Sequence, residues 1–443
     1  MTTPDSTKSA SAHRASTDNG RVAPEVQSRD DGAASFEPRV LFLCAAEPDV
    51  ASGTPVIVCD LLAHFPDADA ELLCEHKFHV AQRRKISLRH RVRKIYFPNC
   101  LWPFRRGSRV RDLLVYVGLP WLVVAGWWRI CRFRPTCLVA IYYRIPWIIT
   151  AYLLSRLSRV PLIVYVHDTV RENFDGSSGL KKHFVAWLEE KVLRGSRVMV
   201  LHPYLADHYQ QRYGLQCTVL RQIVWHELLP DSPKKESRVP LTIGFAGAIY
   251  DNNSRQLTEL AAIVEADPRL RLNIWTAAPV DRLTELGIKG DRVQVGFEDN
   301  YERLLKCLAG CDLLYLPLAF ADSGLLTTDA LQYAFPTKSL DYLLAGPPIL
   351  VHCPRTFELS RFFSDHGCAQ VLNDGEPVAL QQWFEAWLAG QVVAIDSAAR
   401  SRAVQVFSPQ ENRRLLWEVM AEVSAGSKAS LRQSPVRPDK SSD

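Results

Sequence analysis

The sequence has no apolar run long enough to cross a bilayer. Its longest uncharged stretch, residues 113–128, contains Pro120. As a helix rising ~1.5 Å per residue it falls short of the ~30 Å hydrocarbon core. A second uncharged run, residues 145–154, is shorter still. The opening MTTPDSTKSASAHRASTDNG lacks the apolar centre of a signal peptide, so a cytoplasmic chain is expected. No C-x-x-C pair is present, and the 11 cysteines are scattered and odd in number. That pattern argues against a disulfide framework and for free, buried thiols in a reducing compartment. The P-loop, the G-x-S-x-G elbow, the G-x-G-x-x-G fingerprint and any fixed-period repeat are also missing. Acids are nearly absent between Arg83 and Arg134, where 14 Lys/Arg face only Asp112. With a net charge of +5 overall, this local +13 leaves −8 for the remainder, so one segment alone is built to meet an anionic surface.

What is present is globular: 443 residues, 47% hydrophobic and 23% charged, too long for one ordinary core. Residues 1–36 and 425–443 read as polar tails. Between them, short β-rich runs alternate with helical patterns. RVLFLCA, AELLCEH, KIYFP, TCLVAIYY, PLIVYVHD, RVMVLH and CTVLRQIV read as strands of a first domain, residues 37–228. A long apolar helix is expected over residues 110–130. The polar stretch at residues 229–240 reads as a linker. The alternation then restarts in a second domain, residues 241–408, and a last helix, residues 409–424, would return to the first. Near-continuous apolar strands separated by helices imply parallel sheets covered on both faces. The expected fold is α/β, two tandem Rossmann-like doubly wound domains facing a cleft.

In such sheets ligands bind beyond the carboxyl ends of the strands, so the loops there carry the candidate sites. After the first strand, Gly53 and Thr54 open a helix whose N-terminus attracts hydroxyl or anionic oxygens; a plain strand–helix turn is the alternative. His167 and Asp168 follow PLIVYV, where the histidine can donate to a sugar hydroxyl; the alternative is a helix N-cap by Asp168. In the second domain LTIGFAGAIYDNNS ends a strand with Gly244 and Gly247, and brings Tyr250 and Arg255 to the same loop and helix start. Two small residues at that place suit a diphosphate. The most specific segment is FPTKSLDYLLAGPPILVHCP. Thr337, Lys338 and Ser339 open its helix, and Lys338 stands three residues before Asp341 on one face. The lysine can neutralise phosphate and the carboxylate can accept two ribose hydroxyls; a solvated i,i+3 ion pair is the alternative.

The pattern P-x-K-x-x-[ED]-Y-x-x-x-G-x-P-[IV], together with PLIVYVHD and Ser52-Gly53-Thr54, resembles family 4 and related retaining GT-B glycosyltransferases over about residues 39–424. The resemblance implies a nucleotide-sugar held against the second domain, and transfer with retention and no metal or other cofactor. It also implies that Asp341 binds ribose, that Lys338 lies near the diphosphate and that His167 faces the transferred sugar. Three positions depart from the family. Asp341 replaces a glutamate, Tyr333 stands where a second glutamate is common, and AIYDNN after Gly247 lacks the basic pair, Arg255 being the nearest cation.

Tryptophans beside Arg129, Arg132 and Arg134 fit the interface of an anionic leaflet. The alternative is a core helix with its arginines solvated. The first reading gives a peripheral protein on the inner membrane face, bound through Arg83–Arg134, with a glycan or polyprenyl-linked acceptor. The alternatives to a transferase are a non-catalytic membrane- or partner-binding subunit of the same fold, and a nucleotide-sugar epimerase. Nucleic acid is not an expected partner, because no aromatic–basic module accompanies the charge. Asp67-Ala68-Asp69 spells D-x-D but precedes a strand, which makes it a surface turn. The Cys74–His79 cluster lacks a second half with ligand spacing, so no metal is expected there.

Overall fold

The computed structural model of the chain describes residues 38–48, 53–63, 65, 69–75, 91–95, 117–142, 144–169, 171–172, 179–222, 239–250, 252–322, 327–392 and 396–432. The first domain contributes β1 (Val40–Cys44), β2 (Ala70–Glu75), β3 (Arg91–Ile95), β4 (Cys137–Ile141), β5 (Leu162–Val166), β6 (Arg197–Val200) and β7 (Thr218–Val219). They form one parallel sheet in the order β3-β2-β1-β4-β5-β6-β7. Its helices are α1 (Gly53–Leu62), α2 (Leu119–Phe133), α3 (Ile145–Ser158), α4 (Gly179–Arg194) and α5 (Pro203–Tyr213).

The second domain contributes β8 (Leu241–Ala246), β9 (Leu270–Trp275), β10 (Val293–Gly296), β11 (Leu313–Pro317), β12 (Ile349–His352) and β13 (Gln370–Leu372), in the order β10-β9-β8-β11-β12-β13, again all parallel. With it go α6 (Ser254–Ala266), α7 (Val280–Glu285), α8 (Tyr301–Ala309), α9 (Thr328–Leu331), α10 (Lys338–Ala345), α11 (Glu358–His366), α12 (Pro377–Leu388), α13 (Ser397–Gln405) and α14 (Pro409–Arg432). Both sheets reverse direction of winding beside their first strand, as doubly wound sheets do. The expected fold class is the observed one.

The central strands are apolar on both faces because helices cover both. Leu41, Leu43 and Leu138 pack under α2–α5, while Phe42, Val139 and Ile163 pack under α1 and α14. Two prolines set helix starts: Pro120 and Pro146 stand in the first turns of α2 and α3, where the missing N–H costs nothing. Pro120 stands at the start of α2, just after the turn at Gly118, and residues 110–116 of the expected helix lie outside the described residues.

β3 begins at Arg91, ahead of the expected KIYFP. It is an edge strand, and one of its cations is held by an acid: Lys94 pairs with Glu47. Charge on an edge strand also discourages pairing with other chains. β13 is only three residues long, too short for a strand pattern to show in the sequence. α14 runs to Arg432, through alanine-rich sequence that the composition assigned to a tail from residue 425. It lies on the first domain, with Trp417 against Phe65 (centroids 5.4 Å apart) and Asn412 Oδ1 accepting from the Arg221 amide at 3.1 Å.

One cation read as facing a membrane is turned inward. Arg129, only 5% exposed, forms an ion pair with the buried Glu71 of β2. Its position explains this, because Leu122, Gly126, Ile130 and Phe133 form the buried stripe of α2, and 129 falls within it. The segments 83–90 and 96–116, the linker residues 229–238, and the tails up to 37 and from 433 lie outside the described residues. Asp69 directly precedes β2 at the amino edge of the sheet; Asp67 and Ala68 of the D-x-D sequence are outside the described residues, as are His76–His79 of the metal-type cluster. No disulfide joins the ten described cysteines, and seven of them are buried. No described helix is long and apolar enough to cross a membrane.

Candidate functional site

On the first domain the carboxyl ends of β1 and β5 are brought together. Thr54, in the first turn of α1, lies 2.9 Å from His167 Nε2, and Asp168 Oδ2 is 3.4 Å from the same nitrogen. His167 is 3% exposed, and burial lowers its pKa below the usual histidine range against the pull of Asp168. It is neutral at pH 7, and so exchanges hydrogen bonds without carrying charge. Asp168 is not followed directly by a helix among the described residues, and α4 is described from Gly179. Gly53 has open space where a side chain would stand. Glu75, at the end of β2, accepts from Arg144 at 3.3 Å.

On the second domain Gly247 ends β8 with φ +115°, a conformation that L side chains rarely adopt. A Cβ there would lie 3.7 Å from the Lys338 stem. The Ala246 amide donates to the Tyr342 hydroxyl at 2.8 Å, so α10 fixes the strand end that it serves. Lys338 opens α10, with Nζ 4.0 Å over the Phe245 ring. That ammonium is shut from solvent and has no hydrogen-bond acceptor among the described residues. Burial drives its pKa down to about 7, partly opposed by Asp341. Asp341 in turn accepts from the Tyr301 hydroxyl at 2.6 Å.

Tyr301 was not among the expected site residues. It begins α8, forty positions from its partner, and only the tertiary contact between α8 and α10 reveals the pairing. Ser339 is fully buried, and its hydroxyl has no hydrogen-bond partner among the described residues. Thr337 caps α10 without a side-chain bond. Tyr250 is half exposed, and its amide donates to Asn253 Oδ1 at 3.0 Å. Arg255 is engaged elsewhere: its Nε bonds Glu259 of the same helix at 2.9 Å.

The two carboxyl ends are clasped by side chains that cross between the domains. His202, after β6, accepts from the Leu205 amide at Nδ1, so its Nε2 carries the proton and donates to the Tyr333 carbonyl at 2.8 Å. Burial lowers its pKa to about 3, which keeps this tautomer neutral. The Tyr333 hydroxyl donates to His208 Nδ1 at 2.6 Å, and its ring stacks on Tyr204 with centroids 5.1 Å apart. The Glu172 carbonyl, after β5, accepts from Thr327 at 3.1 Å. Burial alone would raise the Glu172 carboxyl, but His208 and the Arg212 guanidinium hold it at about 2. Tyr333, a departure from the family pattern, is thus an interdomain strut. Tyr333→Phe keeps the ring and loses one buried hydrogen bond. It is expected to cost about 1 kcal/mol, read as a lower urea midpoint. An unchanged midpoint would remove the hydroxyl from the clasp.

No family model matches the sequence, and no curated protein is similar to it by sequence. Solved structures are similar in fold. Sucrose-phosphate synthase from Thermosynechococcus elongatus superposes with TM-score 0.63 at 14% identity, over 88% of this chain and 100% of that one. Anabaena HepE in complex with UDP gives 0.57 at 14%, over 87% and 100%. The lipopolysaccharide outer core galactosyltransferase WaaB gives 0.51 at 12%, over 88% and 99%. Likeness at such identities carries the fold alone, and with the two doubly wound sheets clasped at their carboxyl ends it establishes that this chain has the GT-B architecture.

Proposed function

We propose that this chain is a glycosyltransferase that moves a sugar from a nucleoside-diphosphate donor to a glycan or lipid-linked acceptor with retention, in the synthesis of cell-surface polysaccharide or glycolipid. One observation carries the reading: the enclosed Lys338 ammonium, without an acceptor of its own, stands beside the positive-φ Gly247 and the Asp341 carboxylate at a strand end. An unpaired buried cation is costly unless something anionic completes it. A diphosphate would match the charge, the glycine would admit it against the backbone, and Asp341 would accept the ribose hydroxyls. The sequence motif shared with family 4 supports the same assignment. The HepE complexes hold UDP and UDP-glucose, so UDP is the first nucleotide to try.

In this reading the bond from the anomeric carbon to the diphosphate oxygen breaks, and its electron pair leaves with the phosphate. Lys338 meets the charge that develops there. The acceptor hydroxyl bonds to the same face of the anomeric carbon and gives its proton to the departing phosphate. Neutral His167, oriented by Thr54, faces the sugar. Because Lys338 supplies the cation at the leaving group, transfer is expected to proceed in the presence of a metal chelator.

The test is thermal shift against a panel of nucleoside diphosphates, with Asp341→Ala in parallel. One diphosphate is expected to raise the melting temperature of the parent chain and to leave the variant unmoved. No response to any nucleotide would sink the transferase and favour a non-catalytic subunit, the reading to which Tyr333 and the missing basic pair also point.

A further inference from the structure

The outer layer of the first domain carries apolar surface that the fold does not use. Fourteen large hydrophobic side chains are exposed among the described residues, and nine of them lie on or beside α2, α3 and α4. The foremost are Trp121 (56%), Val124, Trp128 (58%), Leu157 (59%), Phe184 and Trp187 (59%). On α2 the spacing 121, 124, 128 makes a second apolar stripe opposite the buried one at 122, 126, 130 and 133. The three helices form one surface. A side chain at Gly126 would collide with Leu154, so α2 lies directly on α3, and Arg156 of α3 reaches the end of α4 at Gly195. Contiguous exposed patches of this kind mark interaction sites.

The charge on this layer selects the partner. Arg132, Arg134, Arg156, Arg159 and Lys191 are exposed on it. α2 and α3 contain no acid. The acids of α4 are Glu189, which is buried, and Glu190, which pairs with Arg194. The Arg132 guanidinium lies 5.9 Å from the Trp128 ring centroid, which places cation and ring at one level. Tryptophan and arginine at a common depth, with acids excluded, is the composition of a leaflet interface, where indole rings sit among headgroups and cations meet lipid phosphate.

We infer that the outer face of α2, α3 and α4 rests on an anionic lipid bilayer, lying in its interface without crossing it. This places the contact on residues that extend well beyond Arg83–Arg134, and leaves Arg129 out of it. The inference stands on the exposed face alone and holds whether or not the chain transfers sugar.

The experiment is flotation of the full chain with phosphatidylcholine vesicles, with and without phosphatidylglycerol, in low and high salt. Binding is expected only with the anionic lipid and is expected to weaken in salt. Trp121→Ser/Trp128→Ser/Trp187→Ser should bind at least about tenfold more weakly, and Arg132→Glu/Arg156→Glu similarly. All five positions are exposed, so both variants should melt like the parent. Brominated lipid quenching of tryptophan fluorescence in the parent chain gives a second readout that needs no variant. Absence of vesicle binding, equal binding to neutral lipid, or lack of quenching would overturn the inference. So would self-association in sedimentation velocity that the tryptophan variant abolishes, which would assign the face to a second copy. Vesicle binding without a nucleotide response would leave this inference standing and remove the transferase.

Discussion

Lys338→Met is expected to bind a nucleoside diphosphate roughly a hundredfold more weakly than the parent chain, because a charged hydrogen bond to phosphate is lost from an ammonium that is shut from solvent. If the chain is a transferase, kcat should fall further, by about 10²–10³, since the charge that Lys338 meets is greatest as the diphosphate departs. Methionine keeps the stem over Phe245, so stability should change little or rise. The pH profile distinguishes a missing charge from a missing shape. In the free chain Lys338 titrates at about 7, well below an ordinary lysine. A bound diphosphate favours the ammonium and raises that value, so binding above pH 7 takes up a proton. The association constant should be level below pH 7 and fall as pH rises above it, by up to tenfold per unit, until the pKa of the complex is reached. Lys338→Met should lack that fall. Isothermal titration in buffers of differing ionisation enthalpy measures the proton directly; equal profiles for the two chains would mean that Lys338 does not meet the phosphate.

The same residue shows how far the sequence could be read. Lys338 and Asp341 share a helix face by spacing alone, and the strand-end frame around them is written in continuous apolar runs, so their place in the fold was legible. So were His167 and Thr54 as strand-end residues, though not their 2.9 Å contact, which joins positions 113 apart. Tyr301 could not be read, because nothing local relates α8 to α10. The direction of Arg129 could have been. Helical period places it with Leu122, Gly126 and Phe133, but its charged neighbours suggested a solvated face. Tyr333 was visible as a departure and its use was not, because the partners His208 and Tyr204 belong to the other domain.

Arg129 supports the second large effect. Arg129→Met is expected to destabilise the first domain by about 3–5 kcal/mol, since it leaves the Glu71 carboxylate buried without its ion-pair partner. For a domain of this size that corresponds to a fall of roughly 10 °C in its melting transition. Glu71→Leu/Arg129→Met replaces both charges by apolar groups and should recover most of the loss, because desolvation of the pair offsets much of its attraction. Calorimetry of the three chains decides. A single variant that melts with the parent would mean that water reaches Glu71, and a double variant no better than the single would place the loss in packing rather than charge.

The return of α14 to the first domain has a consequence for building hybrids of this protein. The first domain is not one continuous piece of chain: its surface over Phe65 is completed by Trp417, and its last described loop is tied by Asn412. An exchange of the second domain with that of another GT-B chain must therefore cut twice, after the linker and again ahead of Pro409, and leave the final helix behind. A hybrid joined at a single point would bring in a foreign helix to seal the native domain, and would fail at that seam before the new second domain could be assayed.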